Sequence, residues 1–220
     1  STCLLALLEK EKIPIETKIS TFISQFSKCY ALVDNHKSIN DIKIVSTPTV
    51  GQLLNHTSGL SYFFNQDLVA TEYLKKDITT APNNSSLKDT INKLAEVPLA
   101  FEPGLFWNYS VGIDVVGRII EIITDKSLDV FLEDFLFLPL EMKDTSFYLP
   151  NEKRERLADC FFFEDMAKNF QPLKKLYKNL SFSKSEVTNF SGGSGLLSTA
   201  TDYSKFTDLI INDGKIRKNS

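Results

Sequence analysis

From Ile113 to Ile123 the apolar residues Ile113, Val116, Ile119, Ile120 and Ile123 return at helical spacing, which predicts a strongly apolar helix directly after Tyr109-Ser110. Several further stretches read as helix. Leu4, Leu5, Leu7 and Leu8 precede the charges Glu9, Lys10, Glu11 and Lys12 and read as the last part of a buried helix that Pro14 stops. Thr47-Pro48 predicts a second helix start, with Val50, Leu53 and Leu54 on its buried face and the polar turn Asn55-His56-Thr57-Ser58-Gly59 at its end. Ser86 caps a helix carrying Leu87, Ile91, Leu94 and Ala95, and Ser127 opens one carrying Leu128, Phe131, Leu132 and Phe135 as far as Pro139. Thr199-x-x-Asp202 resembles a capping box before a last helix through Phe206, Leu209 and Ile210 to Gly214. Residues 34–47 read as loop and 61–84 as irregular, with Pro82-Asn83-Asn84 as a breaker. Strands are expected only as short pieces between 144 and 190, such as Ser146-Phe147-Tyr148 and Asp159-Cys160-Phe161-Phe162.

A chain of 220 residues that is 42% hydrophobic and 24% charged can bury an ordinary core. Its net charge of −3 is spread without long runs of one sign, which recommends neither a nucleic-acid partner nor an anionic membrane surface. Cys3, Cys29 and Cys160 are odd in number and far apart, which argues against a disulfide framework. With His36 and His56 the only histidines and no Cys-x-x-Cys, no metal site and no other cofactor is expected. No apolar run is long enough to span a bilayer. A small-molecule substrate fits this composition.

Four local patterns stand in a fixed order. They are Leu53-Leu54-Asn55-His56-Thr57-Ser58-Gly59-Leu60, then Pro103-Gly104 to Trp107-Asn108-Tyr109-Ser110, then Leu138-Pro139-Leu140-Glu141-Met142-Lys143-Asp144-Thr145-Ser146-Phe147, then Gly192-Gly193-Ser194-Gly195-Leu196-Leu197-Ser198-Thr199 with Asp202 and Phe206. Each alone is weak, but the ordered set resembles the serine β-lactamase-related hydrolases, which join class C β-lactamases, D-alanyl-D-amino-acid peptidases and esterases.

The resemblance implies an α/β serine β-lactamase-like (transpeptidase-like) fold. Residues 1–220 would be one incomplete domain, mostly its α-helical region with flanking helices, and most of the antiparallel sheet would lie outside. The resemblance also implies acyl transfer through a serine ester, on a small ester, amide or lactam. The nucleophilic Ser-x-x-Lys is expected just before Ser1, and a strand motif Lys/His-Thr/Ser-Gly after Ser220. Tyr109 matches the tyrosine of the family's Tyr-Ser/Ala-Asn motif, where it takes the proton of the attacking serine and passes it to the leaving group. An ordinary phenol needs a nearby ammonium for that work. Ser110 is expected to contact substrate, and Trp107 either lines the substrate cleft or packs in the core. Val111 replaces the asparagine whose amide helps hold lactam substrates, which moves the expectation toward esters.

Other readings stand beside these. Ser85-Ser86-Leu87-Lys88 and Ser181-Phe182-Ser183-Lys184 match Ser-x-x-Lys but lie far from the leading helix, and read as surface segments. His56 reads as structural, satisfying backbone groups in its turn, rather than as a general base. Gly192 to Gly195 either cradles an anion or makes a close-packed turn, the second being preferred. Glu141 replaces a glycine usual in its turn. The chain alone is expected to be inactive and poorly stable, with apolar faces of its first and last helices exposed. A non-catalytic binding module on the same fold is the rival reading.

Overall fold

The computed structural model describes residues 1–78, 85–159, 161–164, 169–172 and 187–216. Among these the chain forms seven α-helices and four short strands: α1 (Thr2–Lys10), β1 (Cys29–Leu32), β2 (Ile42–Val45), α2 (Val50–Leu54), α3 (Leu68–Lys75), α4 (Leu87–Leu94), α5 (Gly112–Thr124), α6 (Leu128–Leu132), β3 (Phe161–Glu164), β4 (Asn169–Pro172) and α7 (Ala200–Ile211). No helix among the described residues is long and apolar enough to cross a membrane.

The apolar run singled out in the sequence becomes α5, which packs against α1, α2, α4 and α6. Val115, Val116, Ile119 and Ile120 are buried along it, joined by Leu4, Leu7 and Leu8 of α1, Leu53 of α2, and Leu87, Ile91 and Leu94 of α4. Side chains three and four apart on each helix point the same way, so each contributes a stripe and α5 receives all of them. The apolar face of α1 is therefore covered, against the expectation, with only Leu5 turned outward. For α7 the expectation is met: Tyr203, Ile210 and Ile211 are exposed.

Several boundaries differ from the sequence reading. The cap of α2 is Thr49, whose hydroxyl accepts from the Gln52 amide while the Gln52 side chain accepts from the Thr49 amide. Thr47 is instead buried, its hydroxyl donating to the Phe26 carbonyl at 2.7 Å. Residues 42–45, taken as loop, pair antiparallel with β1 from Cys29↔Val45 to Leu32↔Ile42. Their side chains are mostly exposed, and the short alternation Ile42-Lys43-Ile44 lies among polar and turn-forming residues. The other side of β1 is met by Leu99, bonded to Leu32 and Tyr30. Within 61–84, read as irregular, α3 forms behind the cap Asp67. Ser86 and Thr199 cap their helices as expected. Ser127 precedes α6 without a side-chain cap bond, and α6 widens into a π turn over Glu133–Phe137. Ser146 forms a two-way backbone bridge with Leu197, and the expected strand near Phe161 pairs with β4. Cys3 and Cys29 are buried free thiols; Cys160 and the Ser181–Lys184 match lie outside the described residues.

Candidate active site

The turn after α2 and the segment before α5 are laced together by their main chains. His56 takes a left-handed backbone (φ 60°), which turns its carbonyl to accept from the Asn108 amide at 2.9 Å. The Val111 amide donates to the Ser61 carbonyl at 3.1 Å. Between them, the Asn65 side chain donates to the Tyr109 carbonyl at 3.2 Å and to the Ser61 hydroxyl at 3.0 Å. Asp67 anchors this brace, accepting from the Ser61 hydroxyl at 2.6 Å with one oxygen and capping α3 at Ala70 with the other. Tyr109 is thus fixed by its backbone while the residue stays 47% exposed.

The Tyr109 ring lies between His56 and Tyr62, with centroids 4.8 and 5.1 Å away. His56 accepts at Nδ1 from the Ser110 amide, 3.3 Å away, and its ring nitrogen also meets the Ser110 hydroxyl at 3.4 Å. Burial lowers its pKa, which favours the neutral imidazole that such an acceptor requires. These contacts agree with the structural reading of His56. Ser110 is fully buried, so its hydroxyl faces His56 rather than the surface where a substrate would lie. Trp107, left open between cleft and core, is 67% exposed at the edge of the His56 ring, 6.1 Å between centroids. Phe64, Leu105 and Phe106 are also exposed, so the tyrosine stands on an apolar lip. The Val111 side chain points into the core.

At the first turn of α5, the Gly192 loop presses against the helix. A Cβ at Gly192 would come within 2.1 Å of the Ile113 carbonyl oxygen, so only glycine permits this approach. That is the close-packed turn preferred for Gly192 to Gly195. Ser191 ties the loop down: its hydroxyl accepts from the Gly193 and Ser194 amides and donates to Asp114 Oδ1. The start of α1 reaches the same place, Ser1, Thr2 and Cys3 sharing one cleft with Ile113, Val116 and Gly192. In the first chance Ser-x-x-Lys match, Ser85 to Lys88, the second residue, Ser86, caps α4 and Lys88 lies in its first turn. Glu141, standing for a glycine, takes φ 55°, the conformation a glycine would adopt without strain.

Tyr62, Asn65, Asp67 and Asp114 were not singled out from the sequence. Asp67 had a readable signal as a cap before an apolar spacing; Tyr62 and Asn65 had none, because their partner Tyr109 is distant in the chain.

The profile of the β-lactamase family matches residues 1–220. The lovastatin esterase of Penicillium rubens is 29% identical over 180 residues, covering 77% of this chain and 41% of the esterase. Among solved structures, EstCE1, described as a hydrolase with promiscuous acyltransferase activity, superposes with a TM-score of 0.72 at 22% identity, over 95% of this chain and 55% of that one. Simvastatin synthase from Aspergillus terreus gives 0.71 at 21% identity, over 97% and 51%. The chain spans about two fifths of the length of the curated relatives it matches.

Proposed function

The chain belongs to the β-lactamase family, and on that premise we propose that it carries the tyrosine part of a serine acyl-transfer site whose whole protein hydrolyses a small ester. Fold class agrees: the solved neighbours are β-lactamase and transpeptidase folds, and the described residues hold mostly their helices. We take residues 1–220 as one incomplete domain, inactive by itself.

The observation that carries the reading is the setting of Tyr109. Its main chain is clamped on both sides while its phenol is held open on an apolar lip. In the proposed cycle a serine hydroxyl attacks the substrate carbonyl and Tyr109 receives its proton. Tyr109 then gives a proton to the departing alcohol, and water releases the acyl group from the serine in a second round. The serine and its lysine are those that the family resemblance places before Ser1.

Two features favour an ester with an apolar acyl or alcohol group. Val111 offers no amide toward a substrate, because its side chain is buried. Trp107 and Phe64 present apolar surface beside Tyr109. Ser110 contributes by holding His56, not by touching substrate.

The test is a fluorophosphonate probe and a p-nitrophenyl ester on the full-length protein, compared with Tyr109→Phe. Turnover should fall by about 10²- to 10⁴-fold in the variant. Labelling and turnover at the parent level would refute the role of Tyr109.

A further inference from the structure

Tyr62 is 5% exposed and is gripped on every side. Its ring stacks on Phe64, with centroids 4.7 Å apart and planes 16° from parallel, and meets the Tyr109 ring at 5.1 Å. At its hydroxyl end the Gly192 loop comes close. A Cβ at Gly193 would stand 2.9 Å from Tyr62 Oη and 3.1 Å from Asp114 Oδ2, so the phenol and the carboxyl border the same point. Asp114 is itself buried within α5. Its Oδ1 receives the Ser191 hydroxyl, and among the described residues its Oδ2 has no well-directed hydrogen bond.

We propose that Tyr62 is a positioning residue for Tyr109: its phenol, stacked on Phe64 and bordered by Gly193 and Asp114, donates a hydrogen bond to the Tyr109 oxygen and steadies that oxygen when its proton leaves. This rests on the reading of Tyr109 given above. Two phenols in contact would be interchangeable in water. Here burial, the Asp114 charge and Tyr109 all push the Tyr62 phenol upward, so it keeps its proton and serves only as a donor. Tyr109, half-exposed, is the phenol left to exchange protons with the reacting groups. Environments that separate two like groups assign them different roles. The titratable groups facing Tyr62 are Asp114 from α5 and Tyr109; those facing Tyr109 are His56 and Tyr62. From the Gly192 loop the Ser191 hydroxyl donates to Asp114, and the Ser194 hydroxyl donates to that of Ser191.

In the full-length protein, Tyr62→Phe keeps the ring and its stacking and deletes the donor. With a p-nitrophenyl ester, kcat should fall about tenfold while KM stays within about twofold. The acid limb of the kcat–pH profile should move to higher pH by about one unit, because a phenolate without its donor forms less readily. Gly193→Ala, whose methyl would displace the Tyr62 hydroxyl, should shift the limb in the same direction, and it carries the test should Tyr62→Phe not fold. Tyr109→Phe is the control. If it loses turnover while the other two variants match the parent in kcat and pH profile, the positioning role is overturned and that of Tyr109 stands. A fall in kcat equal at every pH also overturns it, leaving Tyr62 as packing. Full activity in Tyr109→Phe instead removes the premise.

Discussion

Helices α5 and α7 each bury one carboxylate near their first turn, yet they are held to the molecule in opposite ways. Around Asp114, α5 buries Val115, Val116, Ile119 and Ile120 beneath four other helices. Around Asp202, α7 buries no other residue, and its Tyr203, Ile210 and Ile211 stay exposed. Asp202 Oδ2 receives the Asp144 amide at 2.7 Å and the Thr145 hydroxyl at 3.0 Å, and Lys205 reaches both Asp202 and the Glu141 carbonyl. One helix is fixed by packing with an acid set inside it; the other hangs on the acid. Apolar periodicity predicts a helix in both cases but does not say what will cover it.

The comparison can be broken first at its apolar half. Ile119→Ala removes a fully buried side chain from the packed helix and should cost about 2–5 kcal/mol in urea unfolding. A loss below that range would mean that α5 is not the centre of the core. Asp202→Ala should cost less, about 1–3 kcal/mol, by stranding the Asp144 amide and Thr145 hydroxyl. It should also open the segment around α7 to limited proteolysis before the rest, and uniform protection would disprove the tether.

The two acids also separate by pH. Burial raises the Asp114 pKa above its ordinary 3.8, against the opposing pull of Ser191 and the Gly192 and Gly193 amides. A carboxyl raised in the folded state contributes stability that is complete below 3.8 and is lost as pH rises through the native value. Thermal midpoints should therefore fall more steeply with rising pH in the parent than in Asp114→Asn; parallel curves would rule this out. Smallest of all, Ile211→Ser should change stability by no more than about 0.5 kcal/mol while lowering hydrophobic-dye binding. A larger loss would show that α7 is packed after all.

Much of the fold was legible because it rests on local signals. The α5 spacing and the Ser86 and Thr199 caps need only neighbours in sequence. The α2 cap was misplaced by two residues although the signal was present, since Gln52 completes a capping box with Thr49 and not with Thr47. Strand β2 was hidden because its side chains mostly face solvent and its short alternation Ile42-Lys43-Ile44 sits among polar and turn-forming residues. Of the candidate site, Tyr109 was reached through an ordered motif. Tyr62 and Asn65 were not, because what selects them is contact between segments more than forty residues apart. Asp114 did leave a trace, an acid inside a run of buried aliphatic residues, where an ionisable group is seldom kept without a partner.

The double clamp on the Tyr109 main chain also bears on how such a site can diversify. His56, Ser61 and Asn65 hold the residues from Asn108 to Val111, whereas Leu105, Phe106 and Trp107 project outward just ahead of them. Side chains on that projecting segment can be exchanged without disturbing the bonds that aim the tyrosine. Under the proposed function, substrate preference would thereby be uncoupled from reaction chemistry, with residues 105–107 as the segment where selection, natural or in the laboratory, retunes one and leaves the other intact.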